Sequence, residues 1–151
     1  MKINKIMADI QFLDNKVIEF TIENKLLNTK KKVINVNYDM DYEIVNCVEA
    51  EDGYFGIVDF TVNLTGKIDE NEAFKIHLKT RGSFIGSKEN LSIDKFKELL
   101  EVNGTATLSQ ISRAYITSVT SLSGMHPINL PMINIYAMKK YKENSKDNIS
   151  H

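Results

Sequence analysis

The sequence predicts an α+β domain: a four-stranded, meander-like antiparallel sheet followed by C-terminal helices packed on one of its faces. Three observations carry that prediction. Apolar residues recur at every second position through most of the first two-thirds of the 151-residue chain. The segments between these runs are mostly short, as antiparallel neighbours require. The last third changes to the spacing of an amphipathic helix.

Element by element, Ile6, Ala8, Ile10 and Phe12 alternate with Met7, Asp9 and Gln11. A turn is expected at Leu13-Asp14-Asn15-Lys16, and Ile18, Phe20 and Ile22 then resume the alternation. A polar connection from Asn24 to Lys32 contains Leu26 and Leu27. The second strand is the most regular, with Ile34, Val36, Tyr38, Met40, Tyr42 and Ile44 on one side and Asn35, Asn37, Asp39, Asp41 and Glu43 on the other; such a run is a half-buried strand. Asp52-Gly53 predicts a tight turn. Val58, Phe60, Val62 and Leu64 mark the third strand, and Phe74, Ile76 and Leu78 the fourth. Gly82 marks a bulge or close packing. Ser92 is placed to cap a helix carrying Ile93, Phe96, Leu99 and Leu100, which Asn103-Gly104 is expected to end. A longer helix is expected from Thr107 to Ser123, with Leu108, Ile111, Tyr115, Val119 and Leu122 as a narrow apolar stripe and Ser and Thr opposite. Pro127 and Pro131 hold the next segment extended. Asn134 begins a short last helix through Tyr141, so residues 1–141 form the domain and residues 142–151 a polar, unstructured tail.

Composition narrows the function. With 42% hydrophobic and 26% charged residues the chain has the make-up of a globular domain. Lys and Arg number 19 against 20 Asp and Glu, which disfavours a cationic nucleic-acid binder. A lone cysteine, Cys47, can form neither an internal disulfide nor a multi-cysteine zinc site. No run reaches the roughly 18 apolar residues of a membrane span, and the first 15 residues lack a signal peptide's apolar stretch. A cytoplasmic protein is expected. Catalytic patterns are absent: there is no phosphate loop, dinucleotide fingerprint or nucleophile elbow. Asp39, Asp41 and Glu43 read as a solvated strand face, Lys30-Lys31-Lys32 as a solvated loop, and neither His77 nor His126 has a spaced metal partner. The feature that suits binding is the apolar content of residues 124–133, where Met125, Ile128, Leu130, Met132 and Ile133 surround the two prolines.

The stretch from Ala106 to Ser121 resembles the long helix of the SecB export-chaperone family, in the placing of Arg113, of Ile116-Thr117-Ser118 and of Ser121. Pro127-Ile128-Asn129-Leu130-Pro131-Met132-Ile133-Asn134 resembles the loop that follows it there. Glu72-Ala73-Phe74 and Arg81-Gly82-Ser83-Phe84 are similar to the family's fourth strand, and Ile3 to Phe12 to its first. Ser109-Gln110 and Ala114 depart from the family's helix pattern.

The resemblance, which covers about residues 3 to 141 in element order, implies a homotetramer built as a dimer of dimers. Ile76 and Leu78 of the fourth strand and Arg113, Tyr115, Ile116 and Val119 of the helix are the expected interface residues. It implies a client surface at Leu26, Leu27, Met125, Ile128, Leu130, Met132, Ile135 and Met138, no catalytic residue, no cofactor and no metal. The expected activity is that of an ATP-independent holdase for unfolded or pre-export polypeptides. In the family an acidic surface and tail engage the SecA motor; here Lys139, Lys140, Lys142 and Lys146 outnumber Glu143 and Asp147, which counts against that partner. A chaperone dedicated to one client, such as an antitoxin, is the first alternative. A small-ligand enzyme of hotdog type is the second, and it is disfavoured because the helices come last.

Overall fold

The computed structural model describes residues 2–3, 7–25 and 33–147. Four strands, β1 (Ile10–Asn24), β2 (Asn35–Ala50), β3 (Gly53–Ile68) and β4 (Asn71–Gly86), precede three helices, α1 (Ile93–Leu99), α2 (Thr105–Leu122) and α3 (Ile135–Asp147). The sheet is antiparallel throughout, in the order β1-β4-β3-β2. Strands β2, β3 and β4 form the expected meander. The first strand departs from it, lying against β4 on the far side, so residues 25–34 link the two edges of the sheet and the topology is that of a Greek key.

The expected turn at Leu13–Lys16 is not formed. β1 is continuous, with register shifts between Phe12 and Asp14 and between Val17 and Glu19. Leu13 and Ile18 are the extra residues of two β-bulges, which break the alternation without ending the strand. The β2–β3 hairpin turns on Glu51-Asp52, with Ala50 opposite Gly53. Gly53 therefore opens β3 instead of forming the turn, and a β-carbon there would meet the Gly86 carbonyl oxygen at 2.6 Å. At the β3–β4 connection Asp69 takes the positive φ of 54°.

One face of β3 and β4 is closed by the helices. Val58, Phe60, Val62, Leu64, Phe74, Ile76, Leu78 and Phe84 are buried there. Glycines in the strands admit helix side chains: a β-carbon on Gly56 would lie 2.4 Å from Leu100 Cδ2, and one on Gly86 2.4 Å from Phe96 Cδ2. Gly82 is likewise a site of close packing, against Leu108. Full burial of Phe96 and Leu100 contributes roughly 1.5–3 kcal/mol each. That exceeds the ~1 kcal/mol of the Ser92 cap, which accepts from Lys95 N–H at 3.2 Å.

Asn103-Gly104 does not end the first helix. Residues Leu100–Gly104 form a π-helical turn that runs directly into α2. Gly104 is helical (φ −62°, ψ −49°) and serves close approach, since a β-carbon would sit 3.2 Å from Val58 Cγ2. Buried residues then recur every fourth position: Phe96, Leu100, Gly104, Leu108, Ser112, Ile116 and Thr120. In an α-helix a four-residue step overshoots one turn by about 40°. The wider π turn absorbs part of that drift and helps keep the row on the sheet. The buried face of α2 is thus Leu108-Ser112-Ile116-Thr120, and not the stripe through Ile111, Tyr115, Val119 and Leu122. Tyr115 packs edge-on against Phe20 at 5.3 Å, while Leu122 is 87% exposed.

α3 continues six residues past Tyr141, the expected end. Asn134 caps its start, accepting from Ala137 N–H at 3.0 Å. Lys142, the first residue of the expected unstructured tail, is anchored on Asp41. Among the described residues, no helix is long and apolar enough to cross a membrane.

Candidate functional site

The loop after α2 is fixed by the hydroxyls of that helix. Thr120 Oγ1 accepts from Ile128 N–H at 2.9 Å and donates to the Ile116 carbonyl at 2.7 Å. Thr117 Oγ1 lies 3.1 Å from the Ile128 carbonyl oxygen. The Ile128 N–H is therefore satisfied by Thr120, and its carbonyl lies within reach of the Thr117 hydroxyl, whose single proton also faces the Arg113 carbonyl at 3.0 Å, a placement that the Ser/Thr content of α2 did not disclose in the sequence. The loop drops Met125 and Leu130 into the core and leads into Ile135, also buried.

Beyond Leu130 the chain runs beside the β2 edge of the sheet. Tyr38 and Met40 of β2 form one wall of a groove of ≈ 350 Å³, and Pro131, Ile133, Asn134, Ala137 and Met138 form the other. Its lining is chiefly apolar. Met132, 76% exposed, stands on the same loop. A surface of this kind can hold a flexible apolar side chain without demanding one shape.

A polar cluster adjoins it along β2. The Tyr42 hydroxyl donates to Glu101 Oε1 at 2.7 Å, and Lys139 Nζ lies 3.1 Å from Glu101 Oε2. Lys142 Nζ bonds Asp41 Oδ1 at 2.6 Å, donates to the Tyr42 carbonyl and sits 4.6 Å from the centroid of the Tyr42 ring. Burial, reinforced by the Glu101 carboxylate, pushes the Tyr42 phenol well above its usual range. The hydrogen bond to Glu101 raises Lys139. Burial also raises the Cys47 thiol, which favours its protonated form.

Of the residues expected to bind clients, Met132 is exposed and Met138 lines the groove. Ile128 is half-buried against the core. Met125, Leu130 and Ile135 are core residues, because the Thr117–Thr120 contacts pull the loop onto α2. Leu26 and Leu27 lie outside the described residues. Of the residues expected at an oligomer interface, Ile76, Leu78 and Ile116 are buried within the chain, and Arg113, Tyr115 and Val119 remain partly accessible. Tyr38 and Met40 were not among the expected binding residues, whereas Ile133 belongs to the loop whose apolar content suits binding. The inward side of the β2 alternation was the available signal for the first two.

Asp39, Asp41 and Glu43 are exposed on β2. His77 lies between Asn63 Oδ1 and Glu19 Oε2, each at 2.7 Å. Among the described residues, no group of three His, Cys, Asp or Glu is placed to hold a metal ion.

No family model matches the chain. It is 26% identical over 144 residues to an uncharacterized protein of Methanocaldococcus jannaschii, spanning 95% of this chain and 84% of that one. Its fold is similar to that of a Mycobacterium tuberculosis SecB-like chaperone, solved in complex with a peptide from the HigA1 antitoxin. The TM-score is 0.61 at 12% identity, covering 87% of this chain and 95% of the chaperone. A protein of unknown function from Streptococcus agalactiae aligns with a TM-score of 0.45 at 15% identity, over 82% and 97% of the two chains. The four-stranded antiparallel sheet followed by helices is thus the SecB-like fold.

Proposed function

We propose that this chain, with its SecB-like fold, is a chaperone that binds unfolded polypeptides and keeps them soluble without ATP. The observation that carries the reading is the open apolar groove between β2 and residues 131–138, with Met132 exposed on its loop. Apolar anchors of a non-native chain would bury there, each contributing roughly 1.5–3 kcal/mol on full burial. Binding the unfolded state and not the native one holds a client by mass action, with no chemical step. The reading makes the protein a non-enzyme that acts in the cytoplasm and needs no cofactor. It also makes it a homotetramer, through the accessible side of α2 with Arg113, Tyr115 and Val119. A monomer by light scattering at micromolar concentration would count against the assembly.

A second reading is a chaperone dedicated to one client, such as an antitoxin; it is favoured by the antitoxin peptide in the similar M. tuberculosis structure. SecA is the less favoured partner, given the Lys-rich α3. Dilution of a chemically denatured test protein into buffer with and without the chain tests the proposal. Aggregation should fall with increasing chain and be indifferent to ATP. Undiminished aggregation at excess chain refutes the holdase. Protection of a co-purifying antitoxin alone, with no effect on unrelated denatured proteins, selects the dedicated chaperone.

A further inference from the structure

We infer that the face of the sheet turned away from the helices is self-complementary and binds the same face of a second copy of this chain, about a two-fold axis running along β3. Side chains alternate across a strand, so the residues between the buried Val58, Phe60, Val62 and Leu64 of β3 stand on that far face. Strand pairing arranges the face in levels. At one end Val48, Phe55 and Ile85 lie side by side on β2, β3 and β4, with Ile57 next along β3. Val48 and Ile85 are exposed, and Phe55 and Ile57 are half-buried. An apolar patch of this kind marks a contact surface.

The remaining levels are charged. Glu43, Asp59 and Arg81 share one, Asp41, Thr61 and Lys79 the next, and Asp39, Asn63 and His77 the one after. Lys75, opposite Thr65, extends the basic row of β4. β2 thus presents acidic residues and β4 basic ones. The strand between them is neutralised, because the Arg81 guanidinium holds both oxygens of the buried Asp59, at 2.7 and 2.9 Å. Each row carries three full charges; Lys142 offsets one of the first and Asp59 one of the second, leaving two of each sign.

A face divided in this way fits itself. A two-fold axis along β3 exchanges its left and right sides and leaves the levels where they are. It sets β2 of one copy over β4 of the other, so that Glu43 meets Arg81 and Asp41 and Asp39 meet Lys79 and His77. The apolar level then meets itself, Phe55 on Phe55. Two sheets stack in this aligned sense about 10 Å apart, with strand directions within about 30°. The contact is isologous, each row serving once as donor of charge and once as receiver. An acidic or a basic partner would match one row and oppose the other, whereas a second copy matches both. The contact uses neither the groove nor α2, so it goes beyond the chaperone reading and does not depend on it.

Sedimentation of the full chain over a concentration series tests this against two charge-reversed variants. Asp39→Lys with Glu43→Lys turns the β2 row basic. Lys75→Glu with Lys79→Glu turns the β4 row acidic and leaves Arg81 on Asp59. Both keep whatever assembly α2 builds, so a difference in mass from the parent reports this face alone. At ~0.05 M salt, where screening is weak, the parent should exceed either variant in mass by about twofold or more. An equimolar mixture of the two variants should regain the lost mass, since every basic row then meets an acidic one. Raising the salt to ~0.5 M should shrink the difference. Val48→Asp, at an exposed site outside both rows, should lower the mass by itself. A parent that sediments with the charge-reversed variants, a mixture no heavier than its components, or a Val48→Asp variant as heavy as the parent overturns the inference.

Discussion

At the scale of the residue, burial separates side chains that the sequence makes look alike. Leu130 and Met132 are two residues apart in one apolar loop, yet Leu130 is 2% exposed and Met132 is 76% exposed. Leu130→Ser should therefore destabilise the fold by roughly 2–5 kcal/mol, as large-to-small and polar changes in cores do. Met132→Ser should stay within about 0.5 kcal/mol of the parent. Urea unfolding of the two variants checks the contrast. Thr105 offers a change of the opposite sign. Its hydroxyl is buried without a hydrogen-bond partner at the junction of the π turn and α2. Thr105→Val removes an uncompensated polar group at nearly constant shape and should raise stability by about 1 kcal/mol. A denaturation midpoint that falls instead would show that the hydroxyl has a partner in solution. By contrast Thr80 and Ser112, equally buried, satisfy each other at 3.0 Å across the sheet–helix interface.

At the scale of the element, the sheet was more legible than the helices. Period two holds from Asn35 to Ile44 of β2 and through most of β3 and β4, with one register shift at Val45 and one between Gly66 and Lys67, because the residues of one face have helix or core above them and those of the other do not. It fails in β1, where Leu13 and Ile18 are bulge residues and no local signal separates a bulge from a turn. Gly104 looked like a helix stop because glycine so often is one; its role is set by Val58 and Phe84, distant in sequence. The buried face of α2 was misleading for a related reason. Close packing on a sheet favours Ser112 and Thr120, whose hydroxyls bond within the fold, over the larger residues of the apparent stripe.

The extension of α3 depends on ionic contacts that composition cannot place. Ile135 and Met138 pack α3 onto the fold, and Lys139–Glu101 and Lys142 on Asp41 and Tyr42 add ionic contacts. Such partly exposed pairs contribute little each, about 0–1 kcal/mol, and are screened by salt. Lys142→Ala should accordingly speed amide exchange in α3 and leave β3 and β4 protected; uniform loss of protection would contradict this account of its docking. Lys139 holds its proton above the usual lysine range, so its contribution is present at neutral pH and is lost only as pH rises through that raised value.

At the scale of the whole molecule, one side of the sheet carries the helices and the core, and the β2 edge carries the groove. Met132 and Tyr38 are exposed beside the groove, whereas Met40, Ile133 and Met138 pack partly against the core and Met125, Leu130 and Ile135 are buried in it. The groove residues on β2 and on the loop are about ninety positions apart in sequence, so their meeting could not be read from either segment; it follows from the Greek-key order that makes β2 an edge. The most direct test of the account is the affinity of the intact chain for a permanently unfolded, fluorescently labelled client, compared with that of the double variant Met132→Ser with Tyr38→Ser, both exposed residues of the groove region. The account predicts an unchanged unfolding midpoint, to within about 1 kcal/mol, and client binding weakened by about tenfold or more, the loss of two apolar anchors. A variant that folds and binds the client as tightly as the parent would place the client elsewhere and contradict the central claim.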